Sequence, residues 1–231
     1  AFTVPASSFT DVDVGDHLAY TATLADGLDL PAWLTFDPAT RTFSGTPGND
    51  DVGQVSVKVT ATDDAGASAT QTFTVSVANT NDGPVASAQI ADQAATEDSG
   101  FSFQVPANSF TDVDVGDHLA YTATLADGSA LPAWLTFDPA TRTFSGTPGN
   151  DDVGNISVKV VATDDAGASA TQTFTVSVAN TNDGPVASAA IADQAATEDA
   201  GFAFTVPANS FTDVDVGDHL AYTATLRSEE R

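Results

Sequence analysis

Residues 155–179 read NISVKVVATDDAGASATQTFTVSVA. In NISVKVVAT and TQTFTVSVA, β-branched and aromatic residues alternate with polar ones, the period-2 pattern of a strand with one buried face. TDDAGA between them supplies the Asp and Gly of a turn. Outward from this pair, shorter strands are predicted at FSFQV from Phe101, LAYTATL from Leu119, WLTF from Trp134 and RTFSG from Arg142, with an opening strand in SAQIADQAAT before Glu97. PANS, ADGS, DPAT and TPGNDDVG punctuate them. About seven short strands per roughly 100 residues, with no helical period, predict an all-β, Greek-key β-sandwich of immunoglobulin-like type.

The chain is also a repeat. TDVDVGDHLAYTATL begins at Thr10, Thr111 and Thr212, a spacing of 101 residues. Residues 1–84 differ from 102–185 at 8 positions, and 186–226 differ from 85–125 at 4. Tandem sandwiches are therefore predicted: a repeat lacking its first strand at 1–84, a complete one at 85–185, the N-terminal part of a third at 186–226, and a non-repeat tail at 227–231. With no initiating Met, the chain reads as a piece of something longer. The short, Pro-ended linker NTNDGP predicts stacking rather than free tumbling.

Composition narrows the function. Of 231 residues, 32 are Asp or Glu and 6 are Lys or Arg, a formal charge of −26. Such a surface repels phosphate backbones and anionic membranes, so no nucleic acid partner is expected. No apolar run approaches the roughly 20 residues of a membrane span, so no membrane insertion is expected. Cysteine is absent, removing disulfides and thiolate sites together. The acids include just four Glu, and Asp favours turns and hard-cation sites over helices.

Three acidic or amide-rich segments recur. They are Asp112-Val113-Asp114-Val115-Gly116-Asp117 (repeated at Asp11, Asp13, Asp16 and at Asp213, Asp215, Asp218), Asp164-Asp165 (repeated at Asp63-Asp64), and the linker Asn79-Thr80-Asn81-Asp82 (repeated at 180–183). A loop Asp is commonly a solvated turn cap that needs no ion. Several carboxylates together are different: two charges about 4 Å apart repel by about 4 kcal/mol at an effective dielectric near 20. Ca2+, with 6 to 8 oxygen ligands in flexible geometry, would supply the counter-charge. An EF-hand is excluded, because the twelfth position from Asp112 is Ala123 rather than Glu.

The run from TEDSGFSFQVPANSF through LPAWLTFDPATRTFSGTP to NTNDGP resembles a bacterial dystroglycan-type cadherin-like repeat, and the resemblance covers all but the tail. It implies calcium between repeats. One junction would use Asn79, Asn81, Asp82, Asp112, Asp114 and Asp164; the next would use Glu97, Asn180, Asn182 and Asp183 with Asp213 and Asp215 of the following repeat. Where cadherins carry Asp-Arg-Glu, this sequence reads GTPGNDDVG instead.

Nothing predicts catalysis. His17, His118 and His219 are one position repeated, directly after the Asp cluster, and no Ser sits in a nucleophile elbow. The histidines are expected to hydrogen-bond within loops, since hard cations prefer oxygen. Trp33 and Trp134 are expected to pack between the sheets rather than stack on sugars. Arg142 and Lys159 are expected to form salt bridges or pack through their stems.

The expected function is thus a calcium-binding structural repeat of a secreted or surface bacterial adhesin, extracellular and stiffened by calcium at its junctions. The alternative is a calcium-dependent carbohydrate-binding or self-associating adhesion module, with polysaccharide or further copies of the repeat as partners. The first repeat lacks the segment that residues 186–202 supply in the third, so a head-to-tail oligomer through incomplete terminal repeats is also expected.

Overall fold

The computed structural model describes residues 1–215 and 217–225. In the first repeat the strands are β1 (Phe2–Thr3), β2 (Ala19–Leu24), β3 (Leu34–Asp37), β4 (Thr42–Gly45), β5 (Gly53–Thr62) and β6 (Ser68–Val77). The second carries β7 (Val85–Ala86), β8 (Gln93–Thr96), β9 (Phe101–Gln104), β10 (Phe110–Thr111), β11 (Ala120–Leu125), β12 (Leu135–Asp138), β13 (Thr143–Gly146), β14 (Gly154–Thr163) and β15 (Ser169–Ala179). In the third copy the described residues form one short pair, β16 (Val186–Ala187) with β17 (Phe211–Thr212).

The complete repeat is a two-sheet sandwich. One sheet has the order β11-β14-β15-β8 and the other β12-β13-β9. The alternation in residues 155–179 does what the pattern demands: Val158, Val160, Ala162, Phe174, Val176 and Val178 are buried while their neighbours face outward. Facing them are Phe101, Leu135 and Phe144, with Phe174 edge-on to Phe144 at 5.6 Å between ring centroids. β8 joins β15 in parallel, from Val176 opposite Gln93 to Ala179 opposite Thr96. The first repeat has the three-stranded sheets β2-β5-β6 and β1-β4-β3 around Val4, Phe9, Leu34, Phe43, Val57, Val59 and Ala61. The outer edge of its β6 carries no strand equivalent to β8 among the described residues.

Two details of the packing refine the sequence reading. Trp33 and Trp134 are half-buried just before β3 and β12, Trp134 lying edge-on to Phe101 at 6.1 Å, so they sit at the rim of the core. Gly146 is required there, because a Cβ would lie 1.7 Å from the Trp134 carbonyl oxygen. Of the two expected roles, salt bridge or stem packing, Arg142 makes no salt bridge among the described residues; its guanidinium lies over the Tyr121 ring at 5.7 Å, a cation–π contact.

The chain forms two compact units that do not follow the repeat boundaries. The first holds Ala1–Pro84 together with the loops Asp112–Leu119 and Asp164–Ala168; the second holds Val85–Thr111, Ala120–Thr163 and the chain from Ser169 onward.

Candidate metal centre

Within the first unit, the TDVDVGD loop folds back on itself. Asp112 Oδ1 accepts the Asp114 backbone N–H at 3.0 Å, and Asp114 carbonyl accepts the Asp117 N–H at 3.3 Å. Gly116 between them takes a φ of +99°, a conformation open to glycine at little cost. The outcome is that oxygens of Asp112, Asp114 and Asp117 lie within 4.8 Å of one another. The usual burial pattern is inverted: Asp114 is 6% exposed, whereas its neighbours Val113 and Val115 are 54% and 77% exposed.

The linker closes over this loop. Asp82 backbone N–H donates to Asp114 Oδ2 at 2.7 Å, and the Asn81 amide donates to Asp164 Oδ2 at 3.0 Å. Asp164 also accepts the N–H groups of Ala166 and Ala168 on Oδ1, so three donors already satisfy it. The Asn81 bond leads the causes that hold its carboxyl below the ordinary value. Asp117 shifts the other way: desolvation first, then the charges of Asp165, Asp112, Asp114 and Asp164, push its carboxyl up. Asn79 is exposed and outside these bonds.

The second unit repeats the arrangement and adds a buried acid. Asp183 N–H donates to Asp215 Oδ2 at 2.8 Å, and Asp215 N–H donates to Asp213 Oδ1 at 3.0 Å. Glu97, in the turn after β8, is 0% exposed; its Oε1 accepts the Thr181 N–H at 2.7 Å and its own N–H donates to Ala179 carbonyl at 3.0 Å. Glu97, Asp183 and Asp215 bring oxygens within 4.8 Å, as do Asp213, Asp215 and Asp218. Asn180 is exposed, and the Asn182 amide donates to Asp183 carbonyl at 2.9 Å instead of reaching across as Asn81 does.

A hard cation fits these donors. Glu97 Oε2, Asp112 Oδ2, Asp114 Oδ1, Asp117 Oδ2 and Asp215 Oδ1 are buried with no hydrogen-bond donor among the described residues, and all are carboxylate oxygens. The histidines stay outside: His118 is exposed, with its N–H donating to Asp165 Oδ2 at 3.3 Å. Asp117 and Asp218 complete clusters that the candidate set from the sequence left at two acids each. The signal was present in the spacing Asp-x-Asp-x-Gly-Asp, where the glycine returns the third acid to the first two.

A family model described as He_PIG, Putative Ig domain, matches residues 1–78 and 83–179. The chain belongs to the He_PIG family. The two He_PIG matches leave residues 79–82, the linker, between them. Over 142 residues this He_PIG chain is 36% identical to the "Serine-rich adhesin for platelets" of Staphylococcus aureus strain USA300, covering 62% of the chain and 6% of that protein. It therefore spans a small fraction of the curated relatives it matches. Among solved structures it resembles human mucin-like protocadherin EC1-2 (TM-score 0.53, 15% identity, 74% of this chain and 87% of that one) and mouse cadherin-23 EC22-24 (TM-score 0.51, 17% identity, 71% and 53%). At such identity these likenesses show the fold: He_PIG repeats here are cadherin-like sandwiches.

Proposed function

We propose that the chain is a non-enzymatic adhesion repeat of a bacterial surface protein, of the dystroglycan-type cadherin-like kind, whose linkers bind calcium. The observation that carries this reading is the inverted burial of Asp114 and Asp215, acids turned inward with one oxygen each that meets no donor among the described residues, while Val113, Val115 and Val214 face water. Asp112, Asp114 and Asp117 would hold the ion in the first unit, and Glu97, Asp183, Asp213, Asp215 and Asp218 in the second. When bound, the ion supplies the positive charge that these carboxylates lack. The residues themselves set the linker: Asp114 and Asp215 accept its N–H groups, and Asn81 and Thr181 tie its flanks to Asp164 and Glu97. The adhesin relative supports the surface location and the adhesive role.

Ions bound by the folded junction alone raise stability by mass action. Melting in millimolar calcium should therefore lie above melting in chelator, with magnesium a poor substitute. Coincident curves would reject the metal. Stiffening is tested separately by small-angle scattering, where an unchanged maximum dimension with and without calcium would reject it. The carbohydrate-binding alternative is tested by a glycan array probed with and without calcium.

A further inference from the structure

We propose that Asn49 and Asn150 are positioning residues that fix the linker aspartates Asp82 and Asp183 before any ion arrives. This rests on the calcium reading for its second half only. Asn49 Nδ2 donates to Asp82 Oδ2 at 2.8 Å, and Asn150 Nδ2 donates to Asp183 Oδ2 at 2.7 Å. Each Asn opens a single 3-10 turn, Asn49–Asp51 or Asn150–Asp152, inside the GTPGNDDVG segment.

That turn is closed by its own acid. Asp51 Oδ2 accepts Gly48 N–H at 2.9 Å, and Asp152 Oδ2 accepts Gly149 N–H at 2.9 Å. The last of the two acids in each turn is thus engaged locally, and the side chain that reaches the linker is the neutral amide. An amide donor suits a carboxylate, where a second carboxylate would repel it. The linker Asp is then held at two points. Its side chain is held by the Asn that precedes it in sequence, and its backbone N–H by Asp114 or Asp215 that follows it. A relay runs from Asn150 to Asp183 to Asp215, and its equivalent from Asn49 to Asp82 to Asp114. The relay docks the linker without a metal, and Asp183 brings a carboxylate oxygen within 4.8 Å of Glu97 and Asp215.

The test uses the full chain with Asn49→Ala/Asn150→Ala and Asn49→Asp/Asn150→Asp. In chelator, amide exchange at Asp82 and Asp183 should speed up by about tenfold in both variants, as loss of a hydrogen bond to a charged group implies. Exchange at Val158 and Val160 in β14 should stay unchanged, showing that the sandwich is intact. With calcium, the Ala variant should bind several-fold more weakly than wild type. The Asp variant should regain its linker protection and show a larger calcium-induced melting shift, because the added carboxylates are neutralised by the ion. Unchanged exchange at Asp82 and Asp183 in the Ala variant would overturn the proposal. Wild-type protein that ignores calcium would instead refute the metal reading and leave the chelator comparison to decide the relay.

Discussion

The backbone N–H of Asp183 donates to Oδ2 of Asp215 at 2.8 Å, and Asp82 makes the same bond to Asp114 at 2.7 Å. Both acceptors are 6% exposed, whereas Asp13, in the same TDVDVGD context, is exposed. The three loops share one sequence, so burial of the middle Asp follows from the linker lying on it and not from the loop alone.

Asp112→Ala with Asp114→Ala should abolish most of the calcium-induced melting shift of the first junction. Asp127→Ala is the control: Asp127 caps its own turn through Ser129, so its loss should lower the melting temperature equally with and without calcium. Calorimetry of both variants in chelator and in calcium checks this.

Asp117→Asn should raise stability in chelator near neutral pH. The folded state holds the Asp117 proton more tightly than the unfolded chain, so this group's contribution is full below the ordinary value of 3.8 and is lost as pH rises through its raised value. The variant cannot ionise and escapes that loss. Its advantage should fade in acid, and its calcium shift should be smaller than wild type.

Asp164→Asn should behave in the opposite sense. The lowered carboxyl of Asp164 stabilises the fold above 3.8 and loses that contribution as pH falls through its depressed value. The variant should melt below wild type near neutral pH, and the two curves should converge in strong acid. A constant gap across the acid range would reject the charge as the cause.

Much of the fold was legible because its determinants are local. Strands β9, β11, β12, β13, β14 and β15 fall within a residue or two of the alternating segments, since period 2 with Val, Ile, Phe and Thr encodes a half-buried strand directly. The two-residue pair β7–β10 was not, because so short a strand exists through its partner alone. The acid clusters were legible as composition, but not their orientation. Asp-Val-Asp-Val by itself argues for valines turned inward, and the linker reverses that at Asp114 and Asp215. Asn49 and Asn150 carried no signal, because an Asn in a turn is ordinary and its distant acceptor is set by tertiary structure.

Gly146→Ala should cost about 3 kcal/mol or more, as overpacking against a fixed backbone does, because the new Cβ would meet the Trp134 carbonyl carbon and oxygen. A urea midpoint no lower than wild type would show that β12 and β13 are held apart in solution.

The parallel pairing of β8 with β15 has a consequence for how such a chain is made. Gln93 emerges during synthesis long before its partner Val176, so the complete repeat has a high contact order and closes late. The acceptor run Val-Ser-Val-Ala at 176–179 is duplicated at 75–78, which is synthesised first. Each newly made Gln-Ala-Ala-Thr segment thus meets a competing template before its own, a kinetic trap inherent to neighbouring copies of nearly one sequence. Arrays of this kind should fold with fewer errors when consecutive repeats are allowed to diverge in these two segments than when they are kept alike.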